Sequence, residues 1–134
     1  MVSADNAHAK HPASPEMSDP DNAPMLNGGV VIKYNASQRY ATDGLSDAFF
    51  RTVCQRADVP VQTYCNRADL PGGSTLGSIV DTKVSVPTVD IGLPQLAMHS
   101  ANETAGAYDV DYMISALGEF YSTSLLKKGT KVYF

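Results

Sequence analysis

Three histidines and an aspartate supply the side chains with which this chain could do chemistry, and they sit toward its two ends. Asp5, His8 and His11 recur at every third residue in Asp5-Asn6-Ala7-His8-Ala9-Lys10-His11-Pro12. A carboxylate with imidazoles is the donor set of a zinc-type site, and this spacing can put the donors on one side of a turn. The same pattern suits a hydrogen-bonded structural cluster. His99 follows Pro94-Gln95-Leu96-Ala97-Met98, just after the apolar run from Val86 to Leu93. A histidine on the loop leaving a buried strand can present a neutral imidazole nitrogen to a metal or a substrate. It can equally be a satisfied polar group. Lys33, at the end of another apolar run, can pair with a substrate carboxylate or stand as a solvated charge. Gly72 and Gly73 open the loop Gly72-Gly73-Ser74-Thr75-Leu76-Gly77. That loop lacks the Gly-Lys-Ser/Thr ending of a phosphate loop. Its glycines permit close approach of backbone N–H groups to a substrate, or a plain helix-entry turn. Glu103 is the one carboxylate near His99 that could act as general base for a single-metal hydrolase. It could instead sit in the first turn of a helix, where a negative charge is favoured.

The elements that must position these residues can be read from periodicity. Val2-Ser3-Ala4 looks like the end of a strand, running straight into the histidine-bearing turn. Residues 12–29 read as a loop, punctuated by Pro12, Pro15, Pro20, Pro24, Gly28 and Gly29. Gly29 to Asn35 is a β-branched run, hence a strand. Leu45, Ala48, Phe49, Thr52 and Val53 recur with helical spacing, so a helix is expected at 43–58, capped by Asp43 or Ser46 and ended before Pro60. Val61 to Cys65 alternates as a strand. Ser74 or Thr75 would cap a short helix through Lys83. Val86 to Gly92 is the next strand. Glu103 to Lys127 is the longest helix expected, with apolar positions from Ala105 to Leu125. Its stripe from Tyr108 to Tyr121 should be core. Lys127 and Lys128 would suit its C-terminal dipole and Gly129 would stop it. Strand and helix thus alternate, which predicts an α/β domain with a largely parallel sheet. Ligands in such sheets gather at the carboxyl ends of strands. Asp5, Lys33, the 70–77 loop and His99 all fall just after expected strands.

The bulk numbers narrow the function classes. The chain has 134 residues, 43% hydrophobic and 18% charged, which is enough for one globular domain with a core. A net charge of −4 gives no basic patch, so nucleic acid is not an expected partner. No apolar run approaches the ~20 residues of a membrane span, and the first residues lack the pattern of a signal peptide. Cys54 and Cys65 lack Cys-x-x-Cys spacing and read as reduced thiols of a cytoplasmic protein.

Taken together, four motifs resemble the aspartyl aminopeptidases. Ser3-Ala4-Asp5-Asn6-Ala7-His8-Ala9-Lys10-His11-Pro12 resembles their S-A-D-x-A-H-A-x-H-P motif. Gln38-Arg39-Tyr40-Ala41 matches their Q-R-Y-A segment, and Gly72 to Gly77 matches their glycine loop. Asp90-Ile91-Gly92-Leu93-Pro94-Gln95-Leu96-Ala97-Met98-His99-Ser100 matches the motif that ends in Met-His-Ser. The motifs keep the family's order and the resemblance covers nearly the whole chain. It implies a three-layer α/β sandwich with a mostly parallel central sheet, part of a zinc-exopeptidase catalytic domain. Such enzymes hold two zinc ions and remove the N-terminal residue, often an acidic one, from a peptide substrate. The resemblance implies Asp5 as ligand to one zinc and His99 as ligand to the other. It places His8 and His11 beside the ligands or on the substrate side. Lys33 and Tyr40 fall near the pocket for the substrate's first side chain, and N–H groups near Gly73 would steady an oxyanion.

The departures from the family pattern shape the expectation equally. The family site also needs an upstream histidine, a bridging aspartate and an adjacent glutamate pair that supplies a ligand and the general base. No Glu-Glu pair occurs here, and only Met1 to Ala4 precede Asp5. One aspartate and one histidine cannot hold two zinc ions ~3.5–4 Å apart or activate a water between them. Residues 1–134 therefore read as the C-terminal part of such a catalytic domain, without a catalytic residue of its own and inactive alone. A homo-oligomer is expected from the family. The other reading is a non-catalytic interaction or oligomerisation module that keeps the fold and binds no metal.

Overall fold

The computed structural model describes residues 1–124, 126–128 and 131–133. In chain order the elements are β1 (Val2–Ala4), β2 (Ala7–His8), β3 (Val30–Tyr34), α1 (Gly44–Arg56), β4 (Val61–Cys65), α2 (Leu76–Asp81), β5 (Val89–Gly92), β6 (Pro94–Leu96), β7 (Thr104–Ala105), α3 (Ala107–Ser122), β8 (Leu126–Lys128) and β9 (Lys131–Tyr133). A single 3-10 turn, Pro15–Met17, interrupts the long loop expected over residues 12–29.

The central sheet has the order β1-β5-β3-β4. β1 runs parallel to β5 and β3 parallel to β4, while β3 runs antiparallel to β5. The sheet is thus mostly parallel, as expected. The antiparallel seam is a correction to the simple picture in which every site residue leaves the carboxyl end of a strand. Lys33 lies within β3, not beyond it. A small second sheet, β2-β6-β7, continues the path of β1 and β5.

Strand alternation sorts the two faces. Val30, Ile32, Val89 and Ile91 point to one side and pack with Phe50 and Cys54 of α1 and Ala116 of α3 into the main core. Phe50, Val30, Ile32 and Ile91 are wholly buried. Each such side chain contributes about 1.5–3 kcal/mol of transfer free energy. Residues of opposite parity face the other way, where Val31 joins Ala7, Tyr40 and Tyr64 in a second cluster. On that side Ser3 Oγ accepts the Gly77 N–H at 3.1 Å, which seats α2 against β1. Two helices on one face and a third helix with loops on the other make three layers.

α1 begins where the sequence places it. The Asp43 carboxylate accepts the Ser46 N–H at 2.7 Å, and the Ser46 hydroxyl accepts the Asp43 N–H at 2.9 Å. This reciprocal capping box satisfies two N–H groups that the first turn leaves without helical partners. The helix ends at Arg56, and Asp58 then takes a left-handed φ of 54° before Pro60.

α3 is shorter than periodicity predicts. It spans Ala107–Ser122 instead of Glu103 to Lys127, and Thr104 and Ala105 belong to β7. Its start is set from a distance: Asp109, fully buried, accepts the N–H of Asn27 at 2.7 Å and of Gly29 at 2.9 Å. A Cβ on Gly106 would stand 2.2 Å from Asp109 Oδ2, so that entry needs glycine. At the far end the Ser122 hydroxyl donates to the Glu119 carbonyl, a local bond that competes with helix continuation. Lys127 and Lys128 lie in β8, beyond the end of α3. Leu125 and Gly129 lie outside the described residues. The Tyr108–Tyr121 stripe is not all core. Ala116 is buried and Tyr112, Met113 and Leu117 pack inward, whereas Tyr108 is 65% and Tyr121 82% exposed.

Candidate metal and substrate cleft

Asp5 reaches its place because the chain after β1 keeps travelling alongside β5 and β6. The N–H groups of Asp5, Ala7 and Ala9 donate to the carbonyls of Ile91, Leu93 and Gln95, each at 2.9 Å. That track passes so close to Gly92 that a Cβ there would stand 2.0 Å from the Asp5 carbonyl oxygen. The Asn6 side chain stitches the two segments, donating to Gln95 Oε1 at 2.7 Å and accepting the Leu93 N–H at 3.2 Å. The Lys33 ammonium reaches this track from β3, on the Val31 face of the sheet. It donates to the Asp5 carbonyl at 2.8 Å and to the Asn6 carbonyl at 3.4 Å, and lies 3.5 Å from Asp5 Oδ2. The lysine is almost wholly buried, while the Asp5 side chain is 61% exposed. Lys33 therefore holds the backbone of Asp5 and leaves its carboxylate turned outward.

The result is a cleft of about 350 Å³ whose lining includes Asp5, His8, Lys33, Tyr40, Gly73 and His99. Six of the seven residues singled out from sequence thus converge. The seventh does not: His11 is exposed, and its Nδ1 accepts the Ala13 N–H at 3.1 Å, closing a turn outside the cleft. The reason is the pairing of β2 with β6. Strand geometry turns neighbouring side chains to opposite faces, and the track leaves the cleft before His11.

His99 sits in the loop after β6 with a left-handed φ of 69°. Its N–H donates to Glu103 Oε1 at 2.6 Å. This bond is the chief reason the Glu103 carboxyl is held below its ordinary range. Glu103 precedes β7 and lines the cleft, so the helix-entry reading for it is set aside. The His8 imidazole is pushed toward its neutral form, first by burial, then by the charges of His99 and Lys33, with Asp5 opposing. Burial also lowers the Lys33 ammonium against the pull of Asp5 and Asp90, and raises the Tyr40 phenol. The Lys33 ammonium lies 4.9 Å from the centre of the Tyr40 ring, a cation–π distance.

Residues that sequence reasoning passed over brace the cleft from behind its lining. Asp90, fully buried, accepts the Ala41 N–H and the Thr75 hydroxyl, both at 2.6 Å, and its own N–H donates to Thr42 Oγ1 at 2.9 Å. One strand residue thereby anchors both the Tyr40 segment and the glycine loop. The signal was present: Asp90 and Gln95 are polar residues inside an otherwise apolar strand run. A Cβ at Gly73 would meet nothing within 4 Å, so packing does not demand that glycine and the cleft stays open above it.

Carboxylate oxygen and imidazole nitrogen are the right donors for zinc. Among the described residues, however, no group of three or more His, Cys, Asp or Glu side chains is spaced to hold an ion. The donors present fit part of a zinc site and do not complete a coordination sphere.

Comparison with known proteins agrees with this geometry. The chain is 50% identical over 126 residues to the probable M18 family aminopeptidase 2 of Pseudomonas aeruginosa, a match that covers 94% of this chain and 29% of the relative. The corresponding protein of Azotobacter vinelandii is 47% identical over the same share of each. The chain thus spans less than a third of the length of the curated relatives it matches. Among solved structures, Ape4 in its complex with Nbr1 superposes with a TM-score of 0.88 at 42% identity, covering 90% of this chain and 23% of that one. The mApe1 dodecamer of S. cerevisiae superposes with a TM-score of 0.79 at 26% identity, covering 90% of this chain and 26% of that one. The model of the aminopeptidase I zinc metalloprotease family, M18, matches residues 1–121, and the chain belongs to that family.

Proposed function

We propose that residues 1–134 form the C-terminal part of an M18 aminopeptidase catalytic domain and supply one wall of a two-zinc cleft. The convergence of Asp5, His8 and His99 on the cleft that also holds Lys33 and Tyr40 carries this reading. In it, Asp5 and His99 are each a ligand to one zinc, and the remaining ligands and the general base come from residues outside this chain. Bound zinc would supply Lewis-acid polarisation of the scissile carbonyl and of a water. The chain's own residues orient the substrate. Lys33 places a positive charge on the cleft floor, which favours an aspartate or glutamate as the first residue of a peptide. Tyr40 packs over that charge and shapes the pocket. Gly73 lines the cleft, and N–H groups of its loop would steady an oxyanion. His8, kept neutral, is a hydrogen-bond partner on the substrate side. His11 has no part in the cleft and is assigned a turn.

We also assign a homo-oligomer, supported by the dodecamer of the related Ape1. A cytoplasmic location is supported by Cys54 and Cys65, both free thiols. No helix among the described residues is long and apolar enough to cross a membrane. The exposed α3 residues Tyr108, Ile114 and Tyr121 favour a second reading, an interaction module without catalysis.

Assays on Asp-, Glu- and Leu-p-nitroanilide test the proposal. The chain alone, with zinc present, is expected to show no turnover above background. Co-expression with the rest of the Pseudomonas relative is expected to give chelator-sensitive turnover that Asp5→Ala and His99→Ala each abolish. Chelator-sensitive turnover by the chain alone overturns the assignment of missing ligands. Complementation that survives both substitutions overturns the ligand assignment and leaves the interaction module.

A further inference from the structure

A second cleft, of about 580 Å³, neighbours the one just described, at the carboxyl ends of the parallel pair β3 and β4, where Tyr34 and Cys65 end their strands. Its size lies within the range of small-ligand sites, and strand carboxyl ends are where open α/β sheets take ligands. Its lining carries two guanidinium groups, Arg39 and Arg67, and no carboxylate, in a chain whose net charge is −4.

The two arginines are held differently. Arg67 pairs with Asp69, Nε to Oδ1 and Nη2 to Oδ2 each at 2.7 Å, and Nη1 donates to the Glu16 carbonyl. Its plane is thus fixed at the rim. Arg39 is exposed, has no carboxylate partner among the described residues, and its guanidinium donates from Nη1 to the Gly72 carbonyl at 2.9 Å. A neutral donor lines the same cavity. Asn66 Oδ1 accepts the Tyr64 hydroxyl proton, which leaves the Nδ2 protons to donate. A Cβ at Gly72 would come within 2.7 Å of that Nδ2, so glycine keeps this wall clear. A fixed guanidinium, an unpaired one and an amide around one cavity are the recognition set for carboxylates.

We propose that this second cleft is a binding site for a carboxylate-rich ligand, either a free di- or tricarboxylate or the acidic side chains of a peptide. The site is coupled to the candidate catalytic cleft through one bond. Arg39 and Gly72 share it, and the next residue of each segment, Tyr40 and Gly73, lines the other cleft. A ligand drawing the Arg39 guanidinium outward acts on both. The inference does not depend on peptidase activity and needs no zinc.

The test is titration of the full chain, without metal, followed by ¹H–¹⁵N spectra and calorimetry. The probes are citrate, an N-acetylated Asp-Glu-Asp amide whose blocked terminus cannot mimic a cleavable substrate, and its Asn-Gln-Asn counterpart. Binding of citrate or the acidic peptide, with shifts at Gly72, Gly73 and Asn66 and none from the neutral peptide, supports the site. Which of the two binds names its source of carboxylate. Arg39→Gln and Arg67→Gln are each expected to raise Kd at least tenfold, Arg39→Lys less, and Lys83→Gln, an exposed residue outside the lining, not at all. Native spectra of each variant confirm the fold. No saturable binding of either acidic probe overturns the proposal. So does equal binding of acidic and neutral peptides, or a Kd indifferent to both arginine substitutions.

Discussion

The Asp90 carboxylate is out of contact with solvent, and both its oxygens are used, one by the Ala41 N–H and one by the Thr75 hydroxyl. Removing it strands a buried hydroxyl and a half-buried N–H, at about 1–3 kcal/mol each. Asp90→Ala is therefore expected to lower stability by about 2–5 kcal/mol in urea denaturation. Asp90→Asn, which keeps the volume and one acceptor, is expected to cost less than Asp90→Ala. A loss below about 0.5 kcal/mol for Asp90→Ala, the range of ordinary surface changes, would show that the two loops do not depend on it. The same residue scale shows what type and spacing reveal. Asp5, His8 and His99 were recognisable as candidate donors and do share a cleft. Lys33 was recognisable as a charge among apolar neighbours. That its ammonium grips the Asp5 and Asn6 carbonyls was not, because those carbonyls belong to a segment 28 and 27 residues away.

At the scale of elements, Asp43 and Ser46 were legible as alternative caps of α1 because a cap needs no tertiary contact, and the structure uses both at once. Asp43→Ala is expected to cost about 1 kcal/mol, within a range of about 0.5–2. The bond from the Ser46 N–H holds the Asp43 carboxyl below its usual 3.8. The folded value thus lies under the unfolded one. The stabilisation is fully present above 3.8 and is lost as pH falls through the lower folded value. The stability gap between the parent chain and Asp43→Ala, followed by denaturation at a series of pH values, should narrow on acidification. A gap that widens would contradict the cap. The ends of α3 were not legible for the opposite reason. Its start depends on the Asp109 carboxylate meeting the N–H groups of Asn27 and Gly29, about eighty positions earlier in the chain. Helical periodicity carries through 103–106 unbroken, while the backbone there is already pairing β7 with β6.

For the whole molecule, the core on the α1/α3 side is the dominant source of stability. Phe50 is 0% exposed and Tyr121 82%. Phe50→Ala is expected to cost about 3–5 kcal/mol, since the cavity left among β3, β5 and α3 cannot close. Tyr121→Ala should change stability by less than about 0.5 kcal/mol. Comparable losses from both, measured by thermal and urea unfolding of the same preparations, would mean that the outer face of α3 is covered in solution by another copy of the chain. Equal insensitivity would mean that α3 does not dock as described.

The sequence alone determined the kinds of element, most of their centres, the α1 cap and the identity of the donors near the cleft. These follow from short-range rules: two-residue and 3.6-residue periods, hydroxyl and carboxylate caps, and glycine or proline at the breaks. Tertiary structure alone decided that β3 runs against β5, that the Lys33 ammonium grips the Asp5 and Asn6 carbonyls, and that His11 leaves the cleft while His8 stays. Strand direction and side-chain face are properties of pairing between distant segments. A one-residue step turns a side chain from one face to the other, and no local pattern records which partner fixes that step.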